Sequence, residues 1–281
     1  HEVLGMGRAS QASADWPGSY TQADVASSDL SGLVKEFAPD VVLHGAGTAS
    51  VSASLSYPLD DLRAAALTWA NTLDGVRRSG LRPLVLFPSS AAVYGNRTDL
   101  PIREEMHTHP ISPYGFHKVA CELLAQEYAE CFGLNVIVFR LFSVFGEAQR
   151  RLLIWELYKQ MTSEERDVRL QGTGEESRDY LHIDDVTGAL FHLIFNQMEE
   201  TQQGRCLIIN IASGEETNVL HLAHEMSKIL GVEKEIRCRG IERAGDPRKW
   251  RADISQLRSL APQWQPQPFS QRLAQCLNAW E

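Results

Sequence analysis

The sequence predicts an α/β protein built on a doubly wound parallel sheet with helices on both faces, and three observations lead there. Short apolar runs at Val41–His44, Leu84–Phe87, Val136–Phe142 and Leu207–Ile211 lack the polar alternation of a half-exposed strand, which suits strands buried on both sides. Between them lie longer segments with helical spacing, at 30–37, 59–78, 114–131 and 184–195. Strands alternating with helices in this way close into a parallel sheet through crossover connections. Finally, 281 residues with 43% hydrophobic content suffice for one large core or two modest ones.

The elements follow in order. His1–Met6 is a short apolar run ending in Gly7-Arg8, followed by a Ser/Ala/Gly-rich connector and a helix from Leu30 to Phe37. The strand at Val41–His44 runs into Gly45-Ala46-Gly47, small residues that let backbone approach a ligand. A long amphipathic helix, Leu59–Arg78, precedes the strand Leu84–Phe87, and a second, Tyr114–Cys131, precedes Val136–Phe142. After Gly146 the pattern loosens into a charged, Trp-containing helix and a polar loop up to Ser177. Asp184–Phe195 reads as a helix and Leu207–Ile211 as the last strong strand. The tail carries Pro262, Pro266 and Pro268 around Trp264, and no repeat or low-complexity segment occurs.

Chemistry concentrates in two segments. Ser89-Ser90-Ala91-Ala92-Val93-Tyr94-Gly95 ends the Leu84 strand, and ligands bind at the carboxyl ends of such strands. Downstream, Ser112-Pro113-Tyr114-Gly115-Phe116-His117-Lys118 puts Tyr114 and Lys118 four residues apart, on one helix face. A tyrosine with a pKa of about 10 is ionised to only about one part in a thousand at neutral pH, so a neighbouring cation must favour its phenolate. Lys118 is that cation, and Ser90 can hydrogen-bond the substrate oxygen as its carbon gains or loses hydride.

With those segments in view the chain resembles the extended short-chain dehydrogenase/reductase family, in its nucleotide-sugar epimerase/reductase branch. Four segments carry the likeness: Ser89–Gly95, Ser112–Lys118, Arg178–Asp185 and Arg243–Asp246. The resemblance implies a Rossmann-type sheet with a smaller C-terminal substrate-binding domain, dividing as 1–146 with 179–212 for the dinucleotide and 147–178 with 213–281 for the substrate. It makes Ser90, Tyr114 and Lys118 the catalytic set, with Lys118 also on the nicotinamide ribose. Enzymes of this kind open on a strand, a glycine-rich turn and a helix that receives the pyrophosphate. Gly5-Met6-Gly7 lacks the third glycine and a preceding strand. The sequence therefore reads as opening on the second strand, as if shortened at its start.

The end of that second strand selects the cofactor. Gly7 stands where an acid would bond the adenosine ribose of NAD, and Arg8 follows, which favours NADP while leaving NAD possible. By the same likeness Asp24 and Val25 flank the adenine, Gly45, Ala46 and Gly47 pass beneath the cofactor, and Phe142 lies near the nicotinamide. Arg178 and Arg243 match positions that neutralise a sugar-nucleotide diphosphate, for which a planar guanidinium is well suited. Asp246 would bond a hydroxyl or orient Arg243, and Trp250 would lie against the base or pack in a core. His182 reads as a structural histidine in preference to a catalytic one. Asp184-Asp185 reads as a helix-capping pair in preference to a metal site, and no metal is expected.

Departures from the family narrow the chemistry. Ala65 and Ser143 stand where asparagines are common, the second putting one substrate hydrogen bond in doubt. Ala91 and Ala92 occupy the place of the Asp-Glu pair of 4,6-dehydratases, so elimination is not expected. A 4-epimerase and a 4-keto reductase remain, with Arg8 tilting the reading towards reduction.

Net charge of −9 argues against nucleic acid or an anionic membrane surface as partner. No apolar run approaches the roughly 20 residues needed to cross a bilayer, and the protein is expected to be cytoplasmic. Five scattered cysteines lack Cys-x-x-Cys spacing and read as free thiols. The helices 59–78 and 114–131 resemble those that pair across family dimers, so a homodimer is expected. The alternative to an enzyme is a non-catalytic dinucleotide or sugar-nucleotide binding protein, a sensor or scaffold.

Overall fold

The computed structural model describes residues 1–198, 204–241 and 247–281. The chain divides into two compact units: His1–Val93, Pro110–Phe139 and Thr201–Ile208 form the first, and Tyr94–His109, Arg140–Glu200 and Ile209–Glu281 the second. Segments 94–109, 140–146, 179–198 and 209–212 pack with the second unit.

In the first unit β1 (Leu4–Gly7) pairs in parallel with β2 (Ser19–Gln22) as a separate two-stranded sheet. Gly5-Met6-Gly7 is thus strand rather than loop. After α1 (Leu30–Phe37), β3 (Val41–Leu43) pairs in parallel with β4 (Leu84–Ser90). With β5 (Asn135–Leu141) and β10 (Cys206–Ile211) they form a four-stranded sheet in the order β10-β5-β4-β3. Every residue from Leu84 to Phe87 is buried, and so are Val136 to Phe139. Both faces of these strands are therefore covered, which is why they read as continuous apolar runs.

The helix expected at 59–78 is a continuous helical run with a fault in it. A short α2 (Val51–Ser56) leads to α3 (Pro58–Leu62), then a π-helical turn at Arg63–Leu67, then α4 (Thr68–Ser79). At the junction the Thr68 hydroxyl donates back to the Ala64 carbonyl at 2.5 Å. One inserted residue leaves apolar spacing on either side intact, so periodicity cannot reveal it. The second long helix, α5 (Pro113–Phe132), has every boundary signal in its sequence. Ser112 caps it by accepting the Gly115 N–H at 3.2 Å, Pro113 takes the first position, and Gly133 ends it in the left-handed region.

Trp69, Leu73 and Val76 of α4 meet Cys121 and Ala125 of α5 and the alternate residues Val85, Phe87, Val136 and Val138 of the sheet. The Trp69 indole N–H donates to the Cys121 carbonyl at 2.9 Å, so the helices are tied as well as packed.

The second unit uses short pairings. β6 (Ser143–Phe145) runs parallel to β9 (Tyr180–His182), β7 (Asp167–Leu170) to β12 (Glu235–Cys238), and β8 (Ser177–Arg178) runs antiparallel to β11 (Thr217–Asn218). Around them lie α6 (Leu152–Thr162), α7 (Ile183–Met198), α8 (Val219–Leu230), α9 (Ser255–Leu260) and α10 (Phe269–Asn278). Phe145, Leu157, Met161, Val168, Leu222, Met226 and Leu273 form its core. The proline-rich tail is anchored by Trp264, whose indole N–H reaches the Asp185 carbonyl at 2.9 Å. Among the described residues no helix is long and apolar enough to cross a membrane.

Candidate active site

Strand β4 ends at Ser89-Ser90 and turns at once through a buried 3-10 segment, Ala91–Val93. Ser90 accepts the Ala92 N–H at 3.2 Å, which leaves its own hydroxyl proton free to donate elsewhere. The first turn of α5 lies directly against this segment. A side-chain carbon on Gly115 would come within 2.6 Å of the Ala92 carbonyl and 2.8 Å of Pro110, so only glycine fits beside Tyr114. The helix start is also held from α2, where the Ser54 hydroxyl accepts the Tyr114 N–H at 3.1 Å. Such anchoring satisfies backbone donors that a helix otherwise leaves open.

One turn further on, Lys118 is buried. Its ammonium donates to the Pro88 carbonyl at 2.7 Å and stands 4.7 Å from the Phe87 ring centre and 5.7 Å from that of Tyr114. Burial pulls the lysine pKa below its usual range, opposed by Cys121, Asp61 and Glu122. The Glu122 carboxylate accepts the Ser89 hydroxyl at 2.5 Å. Lys118 thus links strand β4, through the Pro88 carbonyl, to the Tyr114 ring, which it faces as the four-residue spacing requires.

Beside β3, His44 is buried against Trp69 and Phe87, with Nδ1 2.9 Å from the Thr72 hydroxyl. Burial, helped by the Lys118 charge, depresses its pKa from 6.5 to about 4, so it is neutral at physiological pH. The adjoining Gly45 and Gly47 expose their backbone to solvent. Gly47 has φ +126, a conformation that favours glycine, and a side-chain carbon there would meet the Ala64 carbonyl at 3.3 Å. An exposed glycine backbone at the carboxyl end of a parallel strand fits a dinucleotide. Arg8 is exposed just after β1. The Asp24–Val25 turn is pinned by the Asn71 amide, which donates to the Val25 carbonyl at 2.7 Å.

The second unit gathers the other expected residues. Buried Phe142 meets Trp250 edge to face at 5.9 Å, and the Arg178 guanidinium lies 5.4 Å over the Trp250 ring. The Trp250 indole donates to the Gly95 carbonyl at 3.3 Å, so this tryptophan is half in a core and half a platform. Ser143 N–H donates to the Asp179 carbonyl at 2.9 Å. The Asp179 carboxylate is buried and accepts from the Ser213 hydroxyl and from the backbone N–H groups of Ser213, Gly214 and Ala252. Burial nevertheless pushes its pKa up to about 6. Arg243 and Asp246 lie outside the described residues.

His182 sits in a structural pair. Its Nδ1 accepts the Asp184 N–H at 3.2 Å, which puts the proton of the neutral ring on Nε2, 3.2 Å from the Glu147 carboxylate. Cys276 completes a group with metal-ligand spacing. The Nδ1 acceptor role opposes that use, because a metal-bound histidine normally donates from its other nitrogen. Asp184 and Asp185 occupy the first turn of α7 and both pair with Arg272, at 3.0 and 2.9 Å. Ser54, Asp61, His117 and Glu122 are the neighbours that sequence reading missed. Glu122 stands four residues after Lys118, a helical spacing that could have marked it.

A doubly wound α/β protein with a serine at the strand end and a Tyr-x-x-x-Lys helix packed beside it defines a class of nicotinamide-dependent enzymes. The chain belongs to the NAD dependent epimerase/dehydratase family, whose sequence model matches residues 1–212. It is 28% identical over 251 residues to UDP-glucose 4-epimerase of Mycolicibacterium smegmatis, covering 88% of this chain and 78% of the relative. To GDP-6-deoxy-D-mannose reductase of Pseudomonas aeruginosa it is 29% identical over 252 residues, 86% and 81% of the two chains. Among solved structures it resembles MoeE5 in complex with UDP-glucuronic acid and NAD, at 25% identity and a TM-score of 0.86 over 99% of this chain and 90% of that one. RMD from Pseudomonas aeruginosa complexed with NADPH gives 27% identity and a TM-score of 0.80 over 93% and 90%.

Proposed function

We propose that this protein catalyses NAD(P)-dependent hydride transfer at a hexose carbon of a nucleotide sugar, at C4, as a 4-keto reductase or a 4-epimerase. The observation that carries the reading is the buried Lys118 ammonium 5.7 Å from the Tyr114 ring, on a helix packed against the turn that follows Ser90. A bound nicotinamide ring gives or takes the hydride. Tyr114 holds the proton that the substrate oxygen gains or loses, the Lys118 charge favours its phenolate, and Ser90 donates a hydrogen bond to the same oxygen. Ala91 and Ala92 are buried in the following turn and offer no acid for elimination.

The cofactor is a nicotinamide dinucleotide. Arg8, exposed at the end of β1 with Gly7 before it, supports NADP over NAD, with Asp24, Val25 and the Gly45–Gly47 backbone completing the cradle. Arg178 over Trp250 supports diphosphate and base recognition in the second unit, together with Ser143, Arg243 and Asp246. On this reading residues 1–146 and 179–212 serve the dinucleotide, and 147–178 and 213–281 the substrate. Leu59, Leu67, Phe116 and Leu123 are each more than half exposed on the two long helical runs, which supports a homodimer through them.

The test incubates the protein with a panel of UDP- and GDP-linked hexoses and 4-keto hexoses, following NADPH absorbance at 340 nm and the sugars by mass spectrometry and NMR. Reduction consumes NADPH and adds two mass units to a keto sugar; epimerisation consumes none and leaves mass unchanged. Binding of dinucleotide and nucleotide sugars without turnover of any would contradict the enzymatic reading in favour of a binding protein.

A further inference from the structure

Thr48, Asp61 and His117 form a hydrogen-bonded chain centred on a buried carboxylate, which the chemistry above does not use. Asp61 is 3% exposed. Its two carboxylate oxygens each have a separate partner: the Thr48 hydroxyl bonds Oδ1, and His117 Nδ1 lies 2.6 Å from Oδ2. An ionised carboxylate only accepts, so both partners donate. A buried carboxylate persists when its oxygens are bonded in this way and becomes costly when one is left open.

The origins of the three residues give the chain its meaning. Thr48 immediately follows the Gly45–Gly47 loop, Asp61 belongs to α3, and His117 lies on α5 between Tyr114 and Lys118. The loop meets the same helical run a second time, where Gly47 approaches the Ala64 carbonyl of the π-helical turn. Asp61 also lies within electrostatic reach of the Lys118 ammonium and favours its charged form. A parallel link runs through α4, where His44, on the other flank of the loop, lies 2.9 Å from the Thr72 hydroxyl and the Trp69 indole donates to the Cys121 carbonyl of α5, whereas Asp61 meets both sides with a single side chain.

We propose that Thr48-Asp61-His117 is a strap that locks the Gly45–Gly47 loop to α5, making Asp61 a positioning residue for both cofactor and phenol. The inference rests on the hydride-transfer reading of this site and deepens it. The strap fixes the distance between the surface that receives the dinucleotide and the residues that handle the proton. Cutting it at either end should weaken dinucleotide binding and slow turnover, while keeping a donor at either end should preserve both.

Four variants test this in two pairs. Thr48→Val and His117→Ala remove a donor; Thr48→Ser and His117→Asn keep one at nearly the same position. Each is compared with the native protein by thermal melting, by fluorescence titration with NADH and NADPH, and by kcat and KM on the substrate found by the panel. The expected result is a loss of about tenfold in dinucleotide affinity for the donor-removing pair, the size of one hydrogen bond to a charge, with kcat falling in His117→Ala. The donor-keeping pair stays within about twofold of native, below the range of such a bond. His117, only 15% exposed on its side chain yet nearer solvent than Asp61, supplies the reading should Thr48→Val fail to fold. Cooperatively folded donor-removing variants with native affinity and kcat would overturn the strap alone. Equal losses in both pairs would overturn it too, since packing and not hydrogen bonding would be responsible. A native protein that binds neither NADH nor NADPH would overturn the hydride-transfer reading itself.

Discussion

At the scale of the residue, the decisive feature is a lysine held where water cannot neutralise its influence. Lys118 spends one hydrogen bond on the Pro88 carbonyl and leaves its charge beside the Tyr114 ring. Lys118→Met should therefore lower kcat by at least about a hundredfold, the lower range for losing acid-base assistance, and should move the tyrosine-dependent limb of the pH profile upwards. An unshifted limb in a folded variant would show that the lysine does not act on the phenol. His44 offers a stability test of the same neighbourhood. Its folded pKa is depressed, so its contribution is present above its ordinary value of 6.5 and is lost as pH falls towards about 4. Denaturant midpoints measured at pH 7 and pH 5 should differ more for the native protein than for His44→Gln, and equal differences would contradict this. The Tyr114–Lys118 helical pairing and the place of Ser90 at a strand end were legible because both are local facts. Asp61 and His117 were not, because their pairing joins residues 56 apart in sequence.

At the scale of the element, the site depends on how closely α5 can approach the turn after β4. Gly115 permits that approach, and Gly115→Ala forces the helix away from the Ala92 carbonyl or distorts the turn. Overpacking of this kind costs about 1–3 kcal/mol. We expect a lowered melting temperature together with at least a tenfold loss of kcat, because a small misplacement at the reacting centre is expensive. A variant that melts lower yet keeps native kcat would show that the contact serves stability alone. The long strands and α5 could be read from sequence because each carries a continuous apolar run or capping residues at both ends. The π-helical turn at Arg63–Leu67 could not, and neither could two-residue strands such as Ser177–Arg178, which are too short to show a period.

At the scale of the whole molecule, exposed apolar side chains sharing one face are the surface that the proposed dimer would cover. Phe116 at 59% and Leu123 at 60% exposure are seven residues apart on α5, hence on one face, and Leu59 and Leu67 are similarly exposed on the neighbouring helical run. Sedimentation should report a dimer for the native protein, and Leu123→Glu should give a monomer by placing a charge on that face. A native monomer would contradict the dimer. The fold class was legible at this scale from alternation alone, whereas the packing of segments 94–109 and 140–146 into the second compact unit depends on contacts distant in sequence. The most direct test of the central claim compares native protein with Tyr114→Phe on the nucleotide sugar identified by the panel, measuring turnover and dinucleotide affinity together. The account predicts native dinucleotide affinity with turnover reduced by about a thousandfold, within the range for removing a general acid-base group. Native turnover in a folded Tyr114→Phe protein would contradict it.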